Sequence, residues 1–185
     1  REGEEALILD AWMKVSIRET ALLVIVPRHP QRFDEVAQLV QARGLALQRR
    51  SNKQPVAAAT QVWLGDSMGE LFAYYAVADV AYVGGSLLDF GSQNLIEPCT
   101  VGVPVLIGPS TFNFADAARN ALAAGAARQC TDVASLMAAA QALLGDAAAR
   151  TRMSAAGRAF TAQHRGATAR TLELIERFMP PPGRP

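Results

Sequence analysis

Four short segments of this 185-residue chain carry residue types that could grip an anionic, hydroxyl-bearing ligand. Pro27-Arg28-His29-Pro30 sets a permanent cation and an imidazole between two prolines that fix the turn. An arginine fork ahead of a helix N-terminus suits an anion, because the helix adds free N–H groups and a positive dipole end. The alternative is that Arg28 pairs with a structural acid and His29 caps a loop. In Gly65-Asp66-Ser67-Met68-Gly69-Glu70, two glycines let the backbone approach a ligand closely, which makes the backbone at Met68-Gly69 the ligand candidate. Ser67 and Glu70 have the spacing of a capping box, a structural use. Gly84-Gly85-Ser86 is too short for a dinucleotide fingerprint, but it leads into Gln93-Asn94-Leu95-Ile96-Glu97-Pro98. On a helix Asn94 and Glu97 share one face at the N-terminal end. A carboxylate there can accept both hydroxyls of a ribose; alternatively Asn94 caps the helix and Glu97 complements its positive end. Pro109-Ser110-Thr111-Phe112-Asn113-Phe114 offers two aromatics that suit either a lid or a packing plug.

Other chemistries find no support. There is no HExxH, CxxC or G-x-S-x-G, and His29 and His164 are far apart, so neither a metal site nor a hydrolase triad is expected. Cys99 and Cys130 read as buried small hydrophobes in a reducing compartment.

The elements that must position these segments follow from the apolar pattern. Glu2 to about Val15 reads as a helix, with Glu4 and Glu5 at its acid-favouring start. Leu22 to Val26 is an unbroken apolar run, as expected of a strand buried on both faces. A helix runs from Pro30 to Gly44. Strands follow at Leu45–Arg50, Gln61–Leu64, Val80–Val83, Pro104–Ile107 and Ala127–Cys130. Between and after them lie helices at Gly69–Ala78, Asn94–Val101, Ala115–Ala124, Asp132–Leu144, Ala147–Gln163 and Ala167–Met179. Strands alternating with helices imply an α/β fold, a Rossmann-like parallel sheet with helices on both faces. Such sheets bind ligands beyond the carboxyl ends of their strands, which is where all four segments fall.

Composition bounds the class. Eighteen basic against 17 acidic residues leave a formal charge of +1, too little for a general nucleic-acid binder. Half the residues are hydrophobic, enough for a packed core. No apolar run reaches membrane-helix length, so a soluble chain is expected. The arginines of the last two helices, with Arg43, Arg49, Arg50 and Lys53, read as solvated faces. The chain opens at Arg1 rather than at a methionine.

Taken in order, six motifs resemble the Kdo transferases of lipopolysaccharide synthesis: Arg1-Glu2-Gly3-Glu4-Glu5, Val26 to Pro30, Gly65 to Leu71, Gly84-Gly85-Ser86-Leu87, Asn94-Leu95-Ile96-Glu97, and Gly108-Pro109 through Phe114. The resemblance implies a GT-B glycosyltransferase that moves 3-deoxy-D-manno-octulosonic acid (Kdo) from CMP-Kdo to a lipid A precursor. It implies that residues 1–179 are its C-terminal, CMP-Kdo-binding half, with 180–185 a Pro-rich tail. Arg28 would stand near the CMP phosphate with His29 beside it. Met68 and Gly69 would line the cytidine or phosphate site through backbone groups, Gly85 and Ser86 would face the phosphate, and Asn94 and Glu97 would hold the ribose. No cofactor and no metal are implied. The family's catalytic base lies in the amino-terminal, acceptor-binding half, so no catalytic residue is expected in this stretch and it should be inactive alone. The whole enzyme would work on the cytoplasmic face of the bacterial inner membrane, while this stretch would be soluble and able to self-associate. The sequence departs from the family at Gln93, Leu95 and Ser110, where many members carry His, Pro and His, so no histidine contact to the donor sugar is carried over. The resemblance also places a strand ahead of Arg1. Without it the sheet would lack a member near its centre, to be filled by another segment or met by distortion.

Two other readings compete with this one. A GT-B glycosyltransferase or epimerase domain for UDP-sugars would prefer UMP or UDP, and a non-catalytic Rossmann-like interaction domain would bind no nucleotide.

Overall fold

The short apolar runs form six strands among the described residues: β1 (Leu23–Ile25), β2 (Leu47–Arg49), β3 (Val62–Leu64), β4 (Ala81–Tyr82), β5 (Val105–Ile107) and β6 (Ala127–Gln129). Between and after them lie α1 (Glu4–Trp12), α2 (Phe33–Gln41), α3 (Leu71–Val77), α4 (Ile96–Val101), α5 (Ala115–Ala123), α6 (Val133–Gly145), α7 (Ala147–Gln163) and α8 (Ala167–Phe178). This computed structural model describes residues 2–163 and 167–178; Arg1, His164, Arg165 and the tail at 180–185 lie outside the described residues.

All strand pairs are parallel, and they form two three-stranded sheets, ordered β1-β3-β2 and β4-β5-β6. β1 and β4 are each an edge strand of its own sheet. Parallel pairing puts the turns that follow the strands at the carboxyl edge.

β5 shows why an unbroken apolar run is needed. Val105, Leu106 and Ile107 are all fully buried, but alternate side chains enter different cores. Leu106 packs with Leu9, Trp12, Leu136 and Leu143 from α1 and α6. Val105 and Ile107 meet Leu95, Cys99, Ala121 and Phe160 on the opposite face. β1 differs from the expectation of burial on both faces. Leu23 and Ile25 pack on the core, but Val24 and the preceding Leu22, on the other face, are 36% and 42% exposed.

Several arginines expected on solvated faces are structural. Arg150 donates from Nη1 to the Leu143 and Leu144 carbonyls, 2.7 Å each, and so caps the C-terminus of α6. Arg43 pairs with Asp10 at 2.7 Å, Arg49 with Asp34 and Asp66 at 2.5 and 3.0 Å, and Arg50 with Glu70 at 2.7 Å. Their partners are remote in sequence, which is why a local reading misses them.

Candidate functional site

The site-bearing loops follow β1, β3, β4 and β5. Pro30 opens a 3-10 turn that runs directly into α2, and the Arg28 side chain just before it is exposed. Arg28 Nη1 donates to Gln93 Oε1 at 2.7 Å, a bond that ties the loop after β1 to the loop after β4. His29 is half-buried beside it, and its carbonyl accepts from the Arg32 amide at 3.0 Å.

The charge environment separates Arg28 from its neighbours. Arg32 is clamped by Glu5 at 2.8 Å and by Glu35 through two bonds, while Arg49 and Arg50 are ion-paired as above. The Glu35 and Glu5 carboxylates hold the Arg32 guanidinium protonated well above its usual range. Arg28, by contrast, is held by a neutral amide oxygen, which orients the guanidinium and leaves its charge uncompensated by that partner.

Asn94 and Glu97 stand together, as their spacing requires. Asn94 Nδ2 donates to Glu97 Oε1 at 3.0 Å, and Asn94 Oδ1 accepts from the Ile96 amide at 3.0 Å. Asn94 stands one residue before the N-cap Leu95, and its side chain holds both the Ile96 amide and the Glu97 carboxyl. Helix α3 packs against α4 and adds a neighbour that the sequence did not single out. The Tyr75 phenol is pushed up to about 12, first by burial and then by the Glu97 carboxylate.

The loop between β3 and α3 is pinned from β2. Asp66 accepts from the Ser51 amide and hydroxyl at 2.8 and 2.6 Å, and Ser67 Oγ donates to Glu70. The expected capping box is absent in form, since Glu70 is itself the residue before α3 and no side chain caps that helix. The Ser67 hydroxyl and then Arg50 hold the Glu70 carboxyl below its usual range. Met68 and Gly69 are left exposed at the tip; Gly69 has φ +83, with open space where a Cβ would sit.

The Gly-Gly-Ser turn after β4 is packed from within. Ser86 is fully buried: its hydroxyl donates to the Val83 carbonyl at 2.6 Å and accepts from the Gly108 amide at 2.8 Å. The Gly85 amide donates to Glu4 Oε2 at 2.5 Å. Glu4 and Glu5, placed by the sequence at the acid-favouring start of a helix, are only 1% and 6% exposed. Of the two aromatics after β5, Phe114 packs against the core while Phe112 is 62% exposed. Among the described residues no group of three or more His, Cys, Asp or Glu side chains is placed to hold a metal ion.

No family model matches the chain. It is 49% identical over 185 residues to 3-deoxy-D-manno-octulosonic acid transferase of Bordetella pertussis, covering 97% of this chain and 43% of the relative. It is 37% identical over 179 residues to the Haemophilus influenzae protein of the same name, covering 96% and 42%. The chain thus spans less than half the length of these two relatives. Among solved structures, the C-terminal CMP-Kdo binding domain of WaaA from Acinetobacter baumannii matches with a TM-score of 0.82 at 35% identity, covering 86% of this chain and 84% of that one.

Proposed function

The chain belongs to the 3-deoxy-D-manno-octulosonic acid (Kdo) transferase family, and from that membership we propose that it binds the donor CMP-Kdo at the carboxyl edge of its strands. Arg28 meets the phosphate, with His29 beside it, and Asn94 and Glu97 hold the ribose hydroxyls. The Met68-Gly69 backbone lines the cytidine side, and Gly85 and Ser86 frame the phosphate side from beneath. In the whole protein a hydroxyl of a lipid A precursor attacks the anomeric carbon of Kdo, the bond to the phosphate oxygen breaks, and CMP leaves. Arg28 offsets the charge that builds on that oxygen. The acceptor and the catalytic base belong to a part of the protein outside these residues, at the cytoplasmic face of the inner membrane. No helix among the described residues is long and apolar enough to cross a membrane.

The observation that carries this reading is the pairing of Arg28, held by the neutral Gln93 amide oxygen, with the Asn94–Glu97 couple that follows Gln93 in the chain. It is tested by titrating the chain calorimetrically with CMP, UMP and ADP. CMP should bind most tightly, and Arg28→Ala or Glu97→Ala should each weaken it by about ten- to a hundredfold, the range for a hydrogen bond to a charged group. Equal binding of the three nucleotides, or alanine variants that bind like the parent, would overturn the assignment.

A further inference from the structure

Glu4, only 1% exposed, is an acidic side chain whose place in the chain gives no hint of its surroundings. Its carboxylate lies across the turn after β4 and collects donors from four groups. Oε2 accepts from the Gly85 amide at 2.5 Å; Oε1 accepts from the Leu87 amide at 2.8 Å, the Leu88 amide at 3.2 Å and the Tyr82 hydroxyl at 2.9 Å. Successive backbone amides converging on one point make an anion-binding concavity, and here the anion is built into the chain. The Tyr82 phenol is pushed well above its usual range, by burial first and then by the adjoining carboxylate.

Two consequences follow for the neighbouring residues. An incoming phosphate finds these three N–H groups already taken, and a buried carboxylate beneath them, so these three amides are not its ligands. The phosphate is left to Arg28. The turn instead acts as a frame: the Gly84 and Gly85 carbonyls accept from the Gln93 and Ser92 amides at 2.9 and 2.6 Å. Gln93 holds Arg28, and Asn94 follows at once. The chain of contacts from Glu4 to the phosphate-binding and ribose-binding groups is therefore unbroken and short.

We infer that Glu4 is a positioning residue of the nucleotide site, fixing the 84–88 turn so that Gln93, Asn94 and Glu97 stand where the nucleotide needs them. This inference rests on the reading of Asn94 and Glu97 as the ribose grip.

Coupling between two parts of a protein is reciprocal, so ribose binding must in turn stabilise the turn. In the unaltered chain, hydrogen exchange at the Gly85, Leu87 and Leu88 amides should slow on adding CMP, and slow less with 2′,3′-dideoxy-CMP at equal saturation. In Glu4→Gln, which loses the charge and turns an NH2 toward the amides, CMP affinity should fall about tenfold while dideoxy-CMP affinity falls about twofold. A merely structural role would lower the folded fraction and scale both affinities equally, leaving their ratio unchanged. Exchange at the three amides that ignores CMP, or a folded Glu4→Gln that keeps the parent's ratio, would overturn the inference. A parent chain that binds CMP and dideoxy-CMP equally would overturn the ribose reading itself, and this inference with it.

Discussion

Gly108→Ala replaces one hydrogen with a methyl group where β5 hands over to its loop, and the structure makes it a severe change. A Cβ built at Gly108 would lie 2.2 Å from the Ser86 carbonyl oxygen, 2.4 Å from its carbon and 2.6 Å from the Leu87 nitrogen. All three atoms are backbone, so no side chain can swing aside, and relief requires one loop to retreat by about an ångström. That retreat would also stretch the bonds joining the loops: the Gly108 amide to Ser86 Oγ at 2.8 Å and the Ser110 amide to the Ser86 carbonyl at 2.9 Å. Overpacking of a close contact costs about 1–3 kcal/mol, and the added loss of hydrogen bonds places the change near the upper end, about 3 kcal/mol. For a chain of this size that lowers the melting temperature by roughly 6–12 °C. Gly145→Ala is the matched control, since it is the same chemical change at the last residue of α6 with nothing within 4 Å of the new methyl. It should be neutral or stabilising by about 0.4–1 kcal/mol. Urea unfolding of the two variants beside the parent decides the matter. A Gly108→Ala chain within about 1 kcal/mol of the parent would refute the claim that the two loops touch through their backbones.

The remaining predictions concern charge. Gln93→Glu puts a carboxylate against Arg28 in place of the amide oxygen, so CMP affinity should fall about tenfold or more, whereas Gln93→Ala should cost far less; equal losses in calorimetry would contradict the argument from uncompensated charge. Burial raises the Cys99 thiol from 9.0 to about 11, and burial with Glu97 raises the Tyr75 phenol from 10.0 to about 12. The folded chain then keeps protons that the unfolded chain releases, so stability is whole below pH 9 and falls as pH rises between about 9 and 12. Urea midpoints that stay flat from pH 8 to 10.5 would contradict the burial of these groups.

Much of the fold was legible because it depends on signals that are local. The strand read at Pro104–Ile107 and the helix read from Asp132 to Leu144 stand where the structure has β5 and α6, and Pro30 opens the turn that leads into α2. The Asn94–Glu97 contact was legible for the same reason, since a spacing of three on a helical turn leaves two side chains little choice but to meet. What escaped was set by partners distant in sequence. A glutamate at a helix start reads the same whether it faces water or sits beneath a turn 81 residues away, as Glu4 does. Arg49 and Arg50 look like a solvated pair until Asp66 and Glu70 arrive beside them from another loop. Nothing near Gln93 predicts that it would hold Arg28, 65 residues earlier.

These long-range pairs bear on how a chain with a net charge of only +1 would present the proposed anion site. Arginines are numerous along this edge of the fold, but Arg32, Arg49 and Arg50 are matched by carboxylates and contribute rigidity rather than net potential. Each pair braces one of the site's loops: Glu5–Arg32 ties α1 to the start of α2, and Arg50–Glu70 ties β2 to the start of α3. Glu4 does the same for the turn after β4 through the Gly85 and Leu87 amides. Arg28 differs in that its partner is neutral, so the bond to Gln93 sets its direction without cancelling its charge. On the proposed reading, selectivity for a monophosphate would come from Arg28 directed over a rigid frame, and a broadly basic surface would only add affinity for unrelated polyanions.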